Sequence, residues 1–220
     1  NRLMKKMTIS SFIRRNIFIP LNVLKDRSPR LSYLKYLENS QYTTLEELKL
    51  IQFESLKNII SYSYNNTIYY RERFDALKIN PLDIKSEDDY RKLPILTKND
   101  IQDNPSSIIS KDKNRENLIA FKTGGSTGKS VVVYKDFNTM ELEVGSALRS
   151  FKWTGWMLGE PWGRIWGNPP NKKTVREILR DVFLEPQIFL DTMSLTDESM
   201  WAFVEEWRRI RPSIMHGHSH

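Results

Sequence analysis

The residue types best suited to chemistry are concentrated in one short run, Thr123-Gly124-Gly125-Ser126-Thr127-Gly128-Lys129-Ser130. Glycines let successive backbone N–H groups converge on a concavity, the hydroxyls add donors, and Lys129 supplies a point charge for phosphate oxygens. This is equipment for gripping a polyphosphate, with Ser126, Thr127 and Lys129 the principal side chains and Thr123 and Ser130 in second place. A P-loop of the form G-x-x-x-x-G-K-[ST] is the nearest familiar pattern, but Thr123 occupies the position of its first glycine. The following Val131-Val132-Val133-Tyr134 also reads as a strand, whereas a P-loop opens a helix whose N-terminus receives the phosphates. A P-loop NTPase is therefore disfavoured, and the pattern is strand, hydroxyl-rich loop, strand.

The elements that must hold this loop are legible from caps and periodicity. Thr44 with Glu47 forms a capping box that opens a helix, with Leu45, Leu48, Leu56, Ile59 and Ile60 on its apolar face and Asn65-Asn66 as a stop. A shorter helix runs through Tyr70 to Leu77. Ser86 with Asp89, and Thr97 with Asp100, start two compact helices that must finish before Pro94 and Pro105. Strands are expected at Asn117 to Phe121 and Val131 to Tyr134, followed by a helix from an Asp136 cap through Phe151, closed by Gly155. Strand and helix then alternate: Arg164 to Trp166, Thr174 to Phe183, Gln187 to Leu190, Thr196 to Ile210 and a last strand from Ser213. That alternation is the signature of an α/β layer with crossover connections.

Composition sets outer bounds. Hydrophobic residues at 39% and charged residues at 28% exclude a disordered or fibrous chain. With no cysteine, a disulfide framework, a thiolate metal site and a catalytic cysteine are all excluded, which fits a reducing, cytoplasmic compartment. No apolar run is long enough to span a bilayer. The net charge of +7 is concentrated at one end: residues 1–36 hold nine basic residues against Asp26 alone, a local +8, so the rest of the chain is nearly neutral. A nucleic-acid channel needs its basic face within the body of a domain, so nucleic acid is not an expected partner. The segment SFIRRNIFIPLNVL reads first as a solvated basic leader helix, and second as a basic amphipathic stretch touching a membrane surface or an anionic partner.

Other constellations have plainer readings. His216, His218 and His220 share one face of an extended segment, but no carboxylate or cysteine accompanies them, so no metal site is expected. Trp153, Trp156, Trp162 and Trp166 read as packing rather than as stacking platforms for bases. Glu87, Asp88 and Asp89 suit the dipole of a first helical turn, and Asp181 and Glu185 read as surface charges. The G-x-S-x-G elbow of serine hydrolases is absent.

Taken in order, Tyr69-Tyr70-Arg71 with Phe74, Ser86-Glu87-Asp88-Asp89, Leu93-Pro94-Ile95-Leu96-Thr97-Lys98 and the loop from Thr123 to Lys129 resemble the phenylacetate-CoA ligase-like branch of the AMP-forming, adenylate-forming superfamily. This branch includes proteins linked to capsular polysaccharide synthesis. Leu158-Gly159, Ile165-Trp166-Gly167, Phe189-Leu190-Asp191 and Arg211-Pro212 are also similar to it, so the resemblance runs from about residue 45 onward.

Charge and glycine distribution give a basic leader at 1–44 and a helical region at 45–116; the resemblance implies an α/β architecture in which 117–220 is the start of an adenylate-forming sheet domain, incomplete here. It implies ATP with Mg2+ and a carboxylic acid as reactants, with capture of the acyl-adenylate by a thiol such as coenzyme A or by another nucleophile, residues 123–130 as the phosphate loop, and Lys129 as the catalytic cation. The family's later acidic, ribose-binding and lysine elements have no matching position, so this piece alone is expected to be inactive. The alternative is a catalytically silent fragment or scaffold that retains nucleotide or partner binding. The identity of the acid and of the acceptor nucleophile is not readable from these residues.

Overall fold

A computed structural model describes residues 8–123, 130–167 and 174–217. Helix and sheet are mixed, and the chain divides into two compact units: residues 39–140, and residues up to Glu38 together with those from Glu141 onward.

In the unit of residues 39–140, helix α4 (Leu45–Asn66) opens on the Thr44 capping box: the Thr44 hydroxyl accepts from the Glu47 N–H at 3.3 Å, and the Glu47 carboxylate accepts from the Thr44 N–H at 3.1 Å. Helix α5 (Ile68–Ala76) starts after a single intervening residue, Thr67, whose side chain accepts from the Tyr70 N–H. Ile60 of α4, Phe74 of α5 and Ile84 form a buried core, with Leu56, Tyr64, Tyr70 and Leu93 packed around it. The short helices α6 (Glu87–Arg91) and α7 (Lys98–Asp103) begin at the Ser86 and Thr97 caps and stop ahead of Pro94 and Pro105. Strands β1 (Ile119–Lys122) and β2 (Val132–Lys135) pair antiparallel, with Lys122 opposite Val132 and Ile119 opposite Lys135.

The other unit is built on a parallel sheet. Helix α8 (Phe137–Trp153), most of which belongs here, begins at Asp136, whose carboxylate accepts from the Thr139 N–H at 2.8 Å. Strand β3 (Trp162–Trp166), helix α9 (Val175–Phe183), strand β4 (Gln187–Asp191), helix α10 (Asp197–Ile210) and strand β5 (Met215–Gly217) follow, and the strand order is β4-β3-β5. Both neighbours run parallel to β3, as crossover helices require. Ile188 of β4, opposite Gly163 of β3, is only 1% exposed. Gly163 lets the ring of Trp207 lie on the strand, since a Cβ there would stand 2.8 Å from the ring. On the alternate positions Trp162 and Trp166 meet His216, and Trp162 also meets Phe151 of α8. The ladder to β5 starts at Met215 rather than Ser213, because Ser213 bonds sideways to Pro161 and Glu160 just before β3.

The N-terminal segment is helical, but it is not a solvated leader. Helix α1 (Ile9–Ile13), a single π-helical turn (Arg14–Phe18), helix α2 (Ile19–Lys25) and helix α3 (Arg30–Ser40) follow one another, with Ser11, Ile19 and Leu34 buried. Arg14 donates to the carbonyls of Val182 and Gly159, and Phe18 meets Phe183 edge to face at 5.4 Å. Asp181 is likewise no surface charge: it is only 8% exposed, on the inner side of α9. Among the tryptophans, Trp156 is core, whereas Trp153 is exposed with Arg149 stacked over its ring.

Candidate functional site

The loop expected to bind phosphate is held by a closed neck. Thr123 follows β1 directly; its N–H donates to the carbonyl of Val131 at 2.9 Å, while its hydroxyl oxygen accepts from the Val131 N–H at 2.9 Å. A side-chain oxygen thus replaces the carbonyl that an ordinary antiparallel rung would use, and the ladder ends at Thr123 rather than running on into the loop. Val131 is buried, so the neck is anchored from inside. Gly124, Gly125, Ser126, Thr127, Gly128 and Lys129 lie outside the described residues. Of the expected phosphate-binding residues, the structure therefore places Thr123 and Ser130.

Ser130 is fixed from a third element. Gln102, on α7, donates from Nε2 to the Ser130 carbonyl at 3.0 Å. Helix α7 is in turn set by its capping box, with the Asp100 carboxylate accepting from the Thr97 N–H at 2.7 Å and from its hydroxyl at 2.6 Å. Arg73 of α5 pairs with Asp100 at 3.1 Å, donates to the Ile95 carbonyl at 2.9 Å and contacts the Tyr69 hydroxyl. A chain of polar contacts thus leads from Tyr69 and Arg73 through Asp100 to α7 and the exit of the loop. These bonds, those from Thr97 first, hold the Asp100 carboxyl down at about 2.

At the far end of the hairpin, Asp136 accepts from Lys113 at 3.0 Å, and Arg115 donates to the Tyr134 hydroxyl at 2.9 Å while lying over its ring. Lys135 lies over the Phe121 ring at 4.7 Å. Bonds from Thr139, with the Lys113 ammonium, hold Asp136 at about 2. The hairpin is therefore fastened at both ends, and a strand rather than a helix follows the loop. That geometry separates it from a P-loop.

Sequence reasoning missed Gln102. Its only local signal is membership of the helix that Thr97 caps, since the partner lies far along the chain. The histidine reading is placed in part: His216 packs among the rings of Phe151, Trp162 and Trp166, while His218 and His220 lie outside the described residues. Among the described residues no group of three histidine, cysteine or acidic side chains could hold a metal ion, and no helix is long and apolar enough to cross a membrane. A cavity of about 690 Å³ in the parallel-sheet unit is lined by Arg14, Arg209 and Arg211 but equally by Glu160, Asp181 and Glu206. Its charge is balanced, so it has no bias toward a triphosphate.

No family profile matches the chain. Among curated proteins, it is similar to a phenylacetate-coenzyme A ligase of Aromatoleum evansii, 32% identical over 118 residues, covering 52% of this chain and 27% of the relative. A phenylacetate-coenzyme A ligase of Escherichia coli strain K12 is 29% identical over 129 residues, covering 59% and 29%. Protein CapK of Staphylococcus aureus is 32% identical over 140 residues, covering 61% and 29%. The matched stretch is thus under a third of each relative's length. Over that stretch, about half of its residues or somewhat more, the chain's similarity to these proteins is consistent with the phenylacetate-CoA ligase-like branch.

Proposed function

We propose that the chain is part of an ATP-dependent, AMP-forming carboxylate ligase. A carboxylate oxygen attacks the α-phosphorus of ATP, a new P–O bond forms, and the bridging bond to the β-phosphate breaks to release pyrophosphate. A thiolate, that of coenzyme A on the reading favoured here, then attacks the acyl carbonyl, and AMP departs with its bonding electron pair. The loop from Thr123 to Ser130 would hold the β and γ phosphates so that the leaving pyrophosphate is aligned and its growing charge stabilised. Magnesium would arrive on the triphosphate. ATP and coenzyme A are cytoplasmic reactants, and the proposed location follows them.

The observation that carries this reading is the neck at Thr123 and Val131, secured by Gln102, around a loop of phosphate-binding composition in a chain similar to named coenzyme A ligases. Substitution of Lys129 tests it. In the whole ligase of which the chain is proposed to be part, Lys129→Ala should lower the rate of ATP-dependent pyrophosphate release with phenylacetate or another accepted acid by about 2–4 kcal/mol of transition-state stabilisation. An unchanged rate would remove the assigned role. A nucleotide-binding but catalytically silent role is the second reading. Calorimetric heat with ATP, together with no pyrophosphate across a broad panel of acids, would favour it.

A further inference from the structure

We infer that the N-terminal helical segment is a docking surface for an anionic membrane, lying flat on the bilayer through one apolar stripe. The stripe consists of Ile9, Phe12, Ile17, Leu21 and Leu24, which are 81%, 54%, 46%, 59% and 75% exposed. Three- and four-residue steps keep side chains on one face of an α-helix, but the step from Phe12 to Ile17 is five. The π-helical turn Arg14–Phe18 accommodates that step: the Ile19 N–H bonds to the Arg14 carbonyl, five residues back, and the extra residue brings Ile17, Leu21 and Leu24 into line with Ile9 and Phe12. The opposite side of the same segment is already used, with Ser11 and Ile19 buried and Arg14 bonded to Val182 and Gly159. The outward stripe is thus the face left for something else.

Charge selects the occupant. Arg2, Lys5 and Lys6 precede the stripe in sequence, Lys25 and Arg27 are exposed at its far end, and Asp26 is the sole acid among residues 1–36. An apolar stripe with Lys25 and Arg27 exposed at its far end, in a segment whose sequence is strongly basic, matches a bilayer that presents acyl chains beneath anionic headgroups. It does not match a second copy of the same face, which would bring like charges together. The inference is independent of the ATP reading, and its test does not use catalysis.

Flotation of the full chain with vesicles decides it. Vesicles containing phosphatidylglycerol should carry the protein upward, vesicles of phosphatidylcholine alone should carry about tenfold less, and high salt should erase the difference. Leu21→Ser with Leu24→Ser should weaken binding to the anionic vesicles about a hundredfold. Lys25→Gln with Arg27→Gln should weaken it about tenfold while leaving the weak binding to neutral vesicles unchanged. All four positions are exposed, so circular dichroism should remain that of the parent. Absence of flotation, equal flotation on neutral lipid, or binding indifferent to the leucine pair would each overturn the inference. So would a concentration-dependent dimer, lost on leucine substitution, in protein that ignores vesicles.

Discussion

The side-chain amide of Gln102 donates to the backbone carbonyl of Ser130 at 3.0 Å, tying a helix set by the Thr97 cap to the exit of the glycine-rich loop. Gln102→Ala should cost only about 1 kcal/mol of stability, as for a single neutral hydrogen bond. On the proposed phosphate role it should cost more in turnover of the whole ligase, up to about a hundredfold, because a misplaced loop exit spoils alignment. Urea unfolding and pyrophosphate release, measured side by side, should therefore separate. A stability loss with full turnover would confine Gln102 to packing.

Arg30 clasps the buried Glu141 carboxylate with two bonds, 2.7 Å from Nε and 2.8 Å from a terminal nitrogen, while Ser28 contacts the same oxygen as Nε. This clasp, the Arg30 bonds foremost, lowers the Glu141 pKa. Arg30→Met strands the carboxylate and should destabilise by about 3 kcal/mol, with much of the loss restored in Arg30→Met, Glu141→Leu. Chemical denaturation of both variants measures this. Equal loss in the single and double variants would mean that packing, not charge, dominates.

Asp100 and Asp136 both titrate near 2 in the folded protein, below the ordinary 3.8. A carboxyl with a depressed pKa contributes its stability fully above the unfolded value, and that contribution is lost as pH falls through the folded one. The melting temperature should therefore drop between about pH 4 and pH 2. Asp100→Asn should begin lower at neutral pH and fall less steeply across this window. Parallel curves would exclude Asp100 as a contributor to the acid transition.

Gly155 and Gly159 share a positive φ, 90° and 89°, but not their surroundings. A Cβ at Gly155 meets nothing within 4 Å, whereas one at Gly159 would stand 2.8 Å from the Ser11 carbonyl oxygen. Gly155→Ala should cost about 1–2 kcal/mol from backbone strain alone. Gly159→Ala should cost more, because α1 must also move. Matching thermal shifts for the two variants would contradict the close approach.

Local signals carried most of the elements. Thr44, Ser86, Thr97 and Thr196 each cap a helix where their sequence context requires it, since donor and acceptor lie within three residues of one another. The strands around the loop were legible to within two residues for a similar reason, as branched and aromatic residues cluster between turn formers. Features depending on distant partners were not legible. Asp181 reads as surface in a helical period and becomes buried only when the sheet assembles; Gln102 finds Ser130 across an intervening hairpin strand; and the Arg14–Phe18 turn departs from α-helical spacing with no glycine or proline inside it.

Placing β3 between β4 and β5 has a consequence for the order of events during folding. The hairpin of β1 and β2 and the pair α4 and α5 join neighbours in sequence and close small loops, so they can form early. The central strand cannot gain its second partner until β5, beyond two intervening helices, has been synthesised and brought back. During translation, one flank of β3 must therefore wait with its ladder groups open, and that interval is when the nascent polypeptide is most vulnerable to pairing with the wrong strand.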